Sequence, residues 1–474
     1  MGRRRRKFFV VENISISGLA DKGRGVGRDE EGKVFFVENV VPGDVVDVLV
    51  TKKKENFHEG QPHRFRSYSQ DRTVPFCEHF GTCGGCQLQH LRYQSQLEHK
   101  QLIVQNALQR IGKIEVDEVF PILGANSTTY YRNKIEFAFS NKRWLSKEDI
   151  RSGVSKYEDV LGFHRAGAFD KILDIRHCYL QPAPSNELRT GIKTIAKKQG
   201  LSFHDARTHK GYLRHIMIRI STLGEVMLIV SVFEDDPDRL FPLLEAIRES
   251  FPQITSLYYC INPKLNDFIL DLDIIHYSGK AWIEETLRDV RFRIGPKSFF
   301  QTNTRQAEQL FTIVEEFAGL TGTENVYDLY TGLGSIALFI AQNCGHVTGI
   351  EEVEAAIEDA RINMEINGIQ NATFYAGDVK DILTDTFVEK HGKADVLITD
   401  PPRAGMHADV VKTLLQLESP KIVYVSCNPS TQARDFNLLN EKYHIRKIQP
   451  VDMFPHTHHI ENVALLELKN GRTA

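Results

Sequence analysis

No stretch of this sequence stays apolar for the roughly 20 residues that a membrane-spanning helix requires, which sets aside a helical membrane protein. Secretion is not expected either: MGRRRRKFFV opens with the basic cluster of a secretory leader, but its apolar part, FFVV, ends at Glu12 and Asn13. Internal repeats and low-complexity tracts are absent, and 41% apolar with 26% charged residues leaves no room for wholesale disorder. Cysteine is scarce. Seven in 474 residues do not make a secreted disulfide framework, and three of the seven fall within ten residues, which points to a cofactor site in a reducing compartment. A cytoplasmic protein with no membrane association is expected.

What is present divides into three parts, since a chain this long needs more than one core. Residues 1–66 alternate short β-rich runs with glycine turns and show no helical period, the pattern of a small OB-like β-barrel. This part holds 14 Lys/Arg against 10 Asp/Glu, including RRRRK and Lys52–Lys54, on a chain whose net charge is only -3; a polyanionic partner fits. Its Gly23, Gly25 and Gly27 precede no helix and so do not form a phosphate loop. Residues 67–290 read as mixed α+β, with a helix over YQSQLEHKQLIVQNALQRIG stopped by Gly112 and strands in YYRNKIEFAFS, HIMIRIS and EVMLIVSVF. Residues 291–474 alternate apolar strands with helices, which predicts a doubly wound, mainly parallel Rossmann-like sheet.

In the last part DLYTGLGSIAL carries a strand ending at Asp328 into Gly332 and Gly334 and then a helix. The third glycine of a dinucleotide fingerprint is lacking, with Leu338 following, so the turn offers close backbone approach without a pyrophosphate cradle. That suits S-adenosylmethionine, which has no phosphate. Glu351 ends the next strand, 23 residues on, where an acid can accept from both ribose hydroxyls, with Glu352 as its rival. Asp378 closes the third strand within reach of an adenine amine. Asp400 in TDPPRAG closes the fourth, and the aromatic residue that amine methyltransferases place after Asp-Pro-Pro is replaced by Arg403.

A different target atom is implied, and SCNPST supplies its chemistry. Uracil carbon 5 becomes nucleophilic when a thiolate adds to carbon 6; a base must afterwards remove the carbon 5 proton so that the thiol can leave. Cys427 lies after the strand KIVYV, and Glu461 opens the last strand in DMFPHTHHIENVALLEL. A target base must also leave its stack, and Tyr130, Tyr131, Arg132 and Lys134 combine the aromatic and basic groups of such a pocket. The alternation of an amphipathic strand is the rival explanation, and for Tyr130 it serves equally well. His456, His458 and His459 have no cysteine nearby and are read as shaping the loop before Glu461, while Cys260 and Cys344 are read as structural.

Cys77, Cys83 and Cys86 follow C-x5-C-x2-C, with Gly81, Gly84 and Gly85 allowing close wrapping of the backbone, and Cys178 in IRHCYL is the candidate fourth ligand. Four thiolates suit an iron–sulfur cluster or structural zinc, in which case His79 and His90 are further candidates. The C-x3-C-x2-C of radical S-adenosylmethionine enzymes is absent.

SFFQTN, DLYTGLGS, DPPRAG, SCNPSTQARD and DMFPHTHHIE, in this order, resemble the RNA uracil-5-methyltransferase family, over nearly the whole chain. The resemblance implies a TRAM barrel at the N-terminus and a 4Fe-4S cluster on Cys77, Cys83, Cys86 and Cys178, fully ligated and therefore a folding or RNA-positioning element. It implies Cys427 as nucleophile, Glu461 as carbon 5 base, and donor contacts from Gln301, Tyr330, Glu351, Asp378 and Asp400. Thr331 stands where members often have cysteine, which leaves these roles intact. The implied substrate is 23S ribosomal RNA, with no obligate protein partner. Two alternatives stand beside it: a transfer RNA uracil-5-methyltransferase, whose usual members lack the barrel and cluster, and a non-catalytic iron–sulfur RNA-binding protein, which would tolerate loss of Cys427. A cytosine-5 enzyme is disfavoured because its cysteine beside the fourth-strand proline is missing.

Overall fold

The computed structural model describes residues 8–168 and 170–469, so RRRRK at Arg3–Lys7 lies outside the described residues. Strands Phe9–Leu19, Gly25–Arg28, Val34–Val37, Val45–Lys53 and Phe57–Ser67 close into a barrel around Ile14, Ile16, Phe35, Val37, Val46 and Val48. Gly25 is fixed by space: a Cβ there would lie 2.4 Å from Val40. The barrel is tied to the next region by Arg72, whose guanidinium lies 2.8 Å from the fully buried Asp44 carboxylate. Its turn at Gly23 packs on Gln87, just past the cysteine loop.

The central region is a seven-stranded sheet in the order Ile274–Gly279, Ile254–Ile261, Val226–Val232, Leu213–Ile220, Lys134–Ser140, Val160–His164, Ile172–Asp174. Helices Ser185–Lys198 and Pro237–Ser250 bury Leu188, Ile192, Leu243 and Leu244 against one face, with Ile216, Ile218, Leu228 and Val230. Met217, Met227, Ile229 and Cys260 point the other way, into the core of the C-terminal region. Covering on both faces explains why VMLIVSV reads as a nearly continuous apolar run rather than an alternating strand. The expected strand at YYRNKIEFAFS begins only at Lys134. Tyr130 takes a φ of 52°, and its amide and that of Arg132 donate to the Tyr179 and Leu180 carbonyls, which makes 130–133 a loop.

The C-terminal region is an eight-stranded sheet in the order Ala372–Ala376, His346–Glu351, Asn325–Leu329, Val396–Thr399, Lys421–Ser426, Glu461–Leu468, Tyr443–Val451, Val116–Val119. The first five strands are parallel, and Glu461–Leu468 runs antiparallel to both of its neighbours. The edge strand Val116–Val119 comes from the 67–290 stretch, pairing Val116 with Ile445, so the central and C-terminal parts share this sheet. Helix Tyr93–Ala107, extended by the turn Leu108–Gly112, packs beside it and ends where the sequence placed its stop. Among the described residues no helix is long and apolar enough to cross a membrane.

Candidate active site

Parallel strands deliver their last residues to one edge of a sheet, and loops there carry the chemistry of α/β folds. An antiparallel strand inserted among them begins at that same edge. Thus Cys427 follows the end of Lys421–Ser426 while Glu461 starts the adjacent strand, and Ser426 pairs with Asn462 across the ladder. The pair is locked by a buried amide exchange: Gln432 Nε2 donates to the Asn462 carbonyl at 3.2 Å, and Asn462 Nδ2 donates to Gln432 Oε1 at 2.6 Å. The segment at Arg403 docks on the same loop, its carbonyl accepting from Asn428 Nδ2 at 3.1 Å and Thr431 Oγ1 at 3.2 Å.

The electrostatics show which side chains are brought together. Burial pushes the Cys427 thiol up to about 11, the Glu461 and Asp400 carboxylates add to the shift, and the Arg403 guanidinium opposes it. Glu461, itself buried, lies well above the usual carboxylate range, mainly through desolvation and then Asp400, again opposed by Arg403. Asp400 is pushed up to about 7 by desolvation and by Asp328; Asp328 is raised to about 7 by burial, with Glu351 contributing. The carboxylates of Glu351, Asp328, Asp400 and Glu461 therefore form a continuous series along the strand ends, reaching the thiol.

The turn beyond Asp328 has the shape expected for a donor site. Tyr330 adopts a φ of 65°, a conformation uncommon for a bulky residue and often found at functional sites. Gly332 follows at φ 57° with open space where a Cβ would project, and its amide donates to Glu351 Oε2 at 3.2 Å. Gly334 is hemmed in by Phe374 and Ala360, at 3.1 and 3.2 Å from a Cβ placed there. Tyr330 lies in the field of Asp378 and Glu351, which with burial raise its hydroxyl to about 12. Asp378 caps the helix Val379–Ile382, accepts from the Lys380 amide at 3.1 Å and is held low by the Lys380 ammonium. Gln301 is placed through its backbone, its carbonyl accepting from Asn133 Nδ2 at 2.9 Å, and makes no hydrogen bond to the other four.

A groove of about 660 Å³ opens over Cys427, lined by Leu19 of the barrel, Arg110, Arg403, His458 and His459. Sequence motifs did not reveal Leu19, Arg110 or the service of Arg403 to the thiol, because these residues meet only through the tertiary fold. Of the segment 130–134, Tyr131 is buried and donates through its hydroxyl to the Pro455 carbonyl at 3.0 Å, while Arg132 lies over the Phe454 ring. These two residues support the loop before Glu461.

Cys77, Cys83, Cys86 and Cys178 line one cavity, with Phe163, Ile175 and Leu180. Burial pushes the Cys83 and Cys86 thiols up to about 12, and the Gly85 amide donates to Cys83 Sγ at 3.4 Å. His79 lines the cavity but its Nε2 accepts from the Arg176 amide at 2.9 Å, and His90 is turned toward Phe80. Among the described residues no group of three or more His, Cys, Asp or Glu side chains is arranged to hold a metal ion. The thiols share a cavity without forming a single-ion coordination sphere.

Residues 270–469 match the tRNA (uracil-5-)-methyltransferase family, and residues 6–62 match the TRAM domain. Proteins described as uncharacterized RNA methyltransferases from Bacteroides thetaiotaomicron and Porphyromonas gingivalis are 52% and 51% identical to the chain, covering 95% and 96% of it and 100% and 99% of their own lengths. Among solved structures, the Pyrococcus abyssi tRNA (uracil-54, C5)-methyltransferase in complex with S-adenosyl-L-homocysteine aligns with a TM-score of 0.72 at 31% identity, over 95% of this chain and 99% of that one. Agreement along the full length, in sequence and in fold, makes the chain a member of the RNA uracil-5-methyltransferase family and an S-adenosylmethionine-dependent enzyme acting on RNA.

Proposed function

We propose that the protein methylates carbon 5 of an extruded uridine in 23S ribosomal RNA through a covalent adduct on Cys427. The observation that carries the chemistry in this reading is the pairing of strand ends that sets Cys427 beside Glu461 at the edge where Tyr330, Glu351, Asp378 and Asp400 gather. When bound, the donor supplies a methyl group on a sulfonium. The Cys427 thiolate, favoured by Arg403, adds to carbon 6 and displaces the ring's double-bond electrons toward carbon 5, which takes the methyl group. Glu461 then removes the carbon 5 proton; those electrons re-form the double bond and expel the thiolate. The desolvation that raises Glu461 makes its ionised form a stronger base for this proton. Gln301 is proposed as a further donor contact from the loop ahead of helix Thr304–Ala318.

Cys77, Cys83, Cys86 and Cys178 would hold a 4Fe-4S cluster. A buried set of thiols with an amide aimed at one sulfur is the environment such a cluster takes. Its contribution would be to staple the loop 77–86 to the central sheet. The division into 1–66, 67–290 and 291–474 is retained as a functional one: RNA-binding barrel, cluster-bearing region and methyl-transfer region.

Transfer RNA is the second reading, favoured by one observation: the Pyrococcus abyssi enzyme, which aligns with 95% of this chain, is a tRNA methyltransferase. Anaerobically purified protein with S-adenosylmethionine is to be incubated with unmodified ribosomal and transfer RNA separately, and 5-methyluridine measured by mass spectrometry. Product in ribosomal RNA alone supports the first reading, and product in transfer RNA alone the second. Product in neither, or full methylation by Cys427→Ala, overturns the proposed chemistry.

A further inference from the structure

The loop 452–460 joins two strands whose ends, Val451 and Glu461, face each other in register, so it stands over the catalytic edge. Its midpoint, His456, takes a φ of 65°. Such a backbone is unfavourable for a non-glycine residue and persists only where its surroundings hold it. The holding group is Gln96, fully buried on helix Tyr93–Ala107. The His456 amide donates to Gln96 Oε1 at 3.0 Å, and Gln96 Nε2 lies 3.1 Å from His456 Nδ1. Gln96 Nε2 also reaches the Leu88 and Leu91 carbonyls at 3.0 and 2.8 Å, so its two hydrogens are shared among three acceptors. The Gln87 and Leu88 amides, immediately after Cys86, both donate to the His456 carbonyl at 2.9 Å.

We propose that Gln96 is a positioning residue for proton removal, acting through His456 on the loop that sets the Glu461 carboxyl against the methylated base. The proposal rests on the reading above. Gln96 does not line the groove over Cys427. The cysteine is placed by other bonds, through Asn428, Thr431 and Arg403. Loosening the clasp therefore spares addition to carbon 6 and methyl transfer but slows breaking of the carbon 5–hydrogen bond, whose electrons must expel the sulfur. The species that accumulates has its carbon–sulfur bond formed, its methyl group in place and its proton still attached. A misplacement of about 1 Å in a reacting group costs on the order of 100-fold in rate.

The test uses the full chain carrying Gln96→Leu, with Glu461→Gln as reference, incubated with S-adenosylmethionine and the RNA shown to be methylated. Denaturing gels read the RNA–protein adduct, and steady-state assays read kcat and KM separately. His456→Gly, which keeps the left-handed backbone but loses the ring, serves as a second variant should Gln96→Leu not fold. The expected result is a kcat lowered by about 10- to 100-fold with KM for RNA little changed, and a denaturation-resistant adduct rising several-fold toward the Glu461→Gln level. A fall in turnover without adduct, a change in KM alone, or no change overturns the proposal while leaving the chemistry standing if Glu461→Gln does accumulate adduct. Absence of adduct in Glu461→Gln removes both.

Discussion

A thiol attacks only as its thiolate, and around Cys427 burial and two carboxylates work against ionisation while Arg403 works for it. With the thiol pushed up to about 11, the thiolate fraction below that value rises about tenfold per pH unit. Alkylation of Cys427 by iodoacetamide, followed by mass spectrometry of its peptide, should therefore still be accelerating above pH 9 in the free enzyme. Arg403→Gln should move the curve to higher pH and slow the reaction at pH 8 several-fold; a plateau reached below pH 8 would contradict the assigned field. Cys427 and Glu461 were legible from sequence because each lies in a local motif at a strand end. The dependence of the thiol on Arg403 was not: the sequence marked that residue only as a missing aromatic, and its effect requires two loops 24 positions apart to dock.

Among the elements, helix Tyr93–Ala107 anchors the loop before Glu461 through Asp452. Lys100 Nζ lies 2.6 Å from Asp452 Oδ1, with both side chains at most 1% exposed, and Tyr93 donates its hydroxyl to Asp452 Oδ2 at 2.8 Å. Removing one partner of such a pair strands the other charge, which typically costs about 3–5 kcal/mol. Lys100→Met is expected to lower unfolding free energy by that order in urea titrations, and a loss below about 1 kcal/mol would show that Asp452 is satisfied without it. The helix itself was readable from its apolar spacing and its stop at Gly112. Its role was not, since Lys100 and Asp452 are distant in sequence. For the same reason the strand Val116–Val119, VDEV, escaped notice: an edge strand exposing Asp117 and Glu118 carries little apolar pattern, and its partner is Tyr443–Val451. Loop 130–133 was misread as strand because alternating side chains resemble a strand until the amides of Tyr130 and Arg132 are found bonded elsewhere.

At the scale of the whole molecule, Leu19 and Ala20 at the end of the barrel's first strand line the groove above Cys427, and the turn at Gly23 packs on Gln87 just past the cysteine loop. Deleting residues 1–66 should weaken RNA binding more than donor binding and flatten the dependence of affinity on salt, because phosphate contacts release counterions; equal RNA affinity at moderate salt would count against this. The shared eight-stranded sheet has a consequence for how the molecule is made. A ribosome adding about 5–20 residues per second releases Val116 well before its partner Ile445, on the order of 20–60 s earlier. During that interval Val104, Leu108 and Ile114, buried in the finished protein, have no sheet to cover them. A message broken before the last strand therefore yields a product whose sheet is split between Lys421–Ser426 and Tyr443–Val451 and which lacks Glu461.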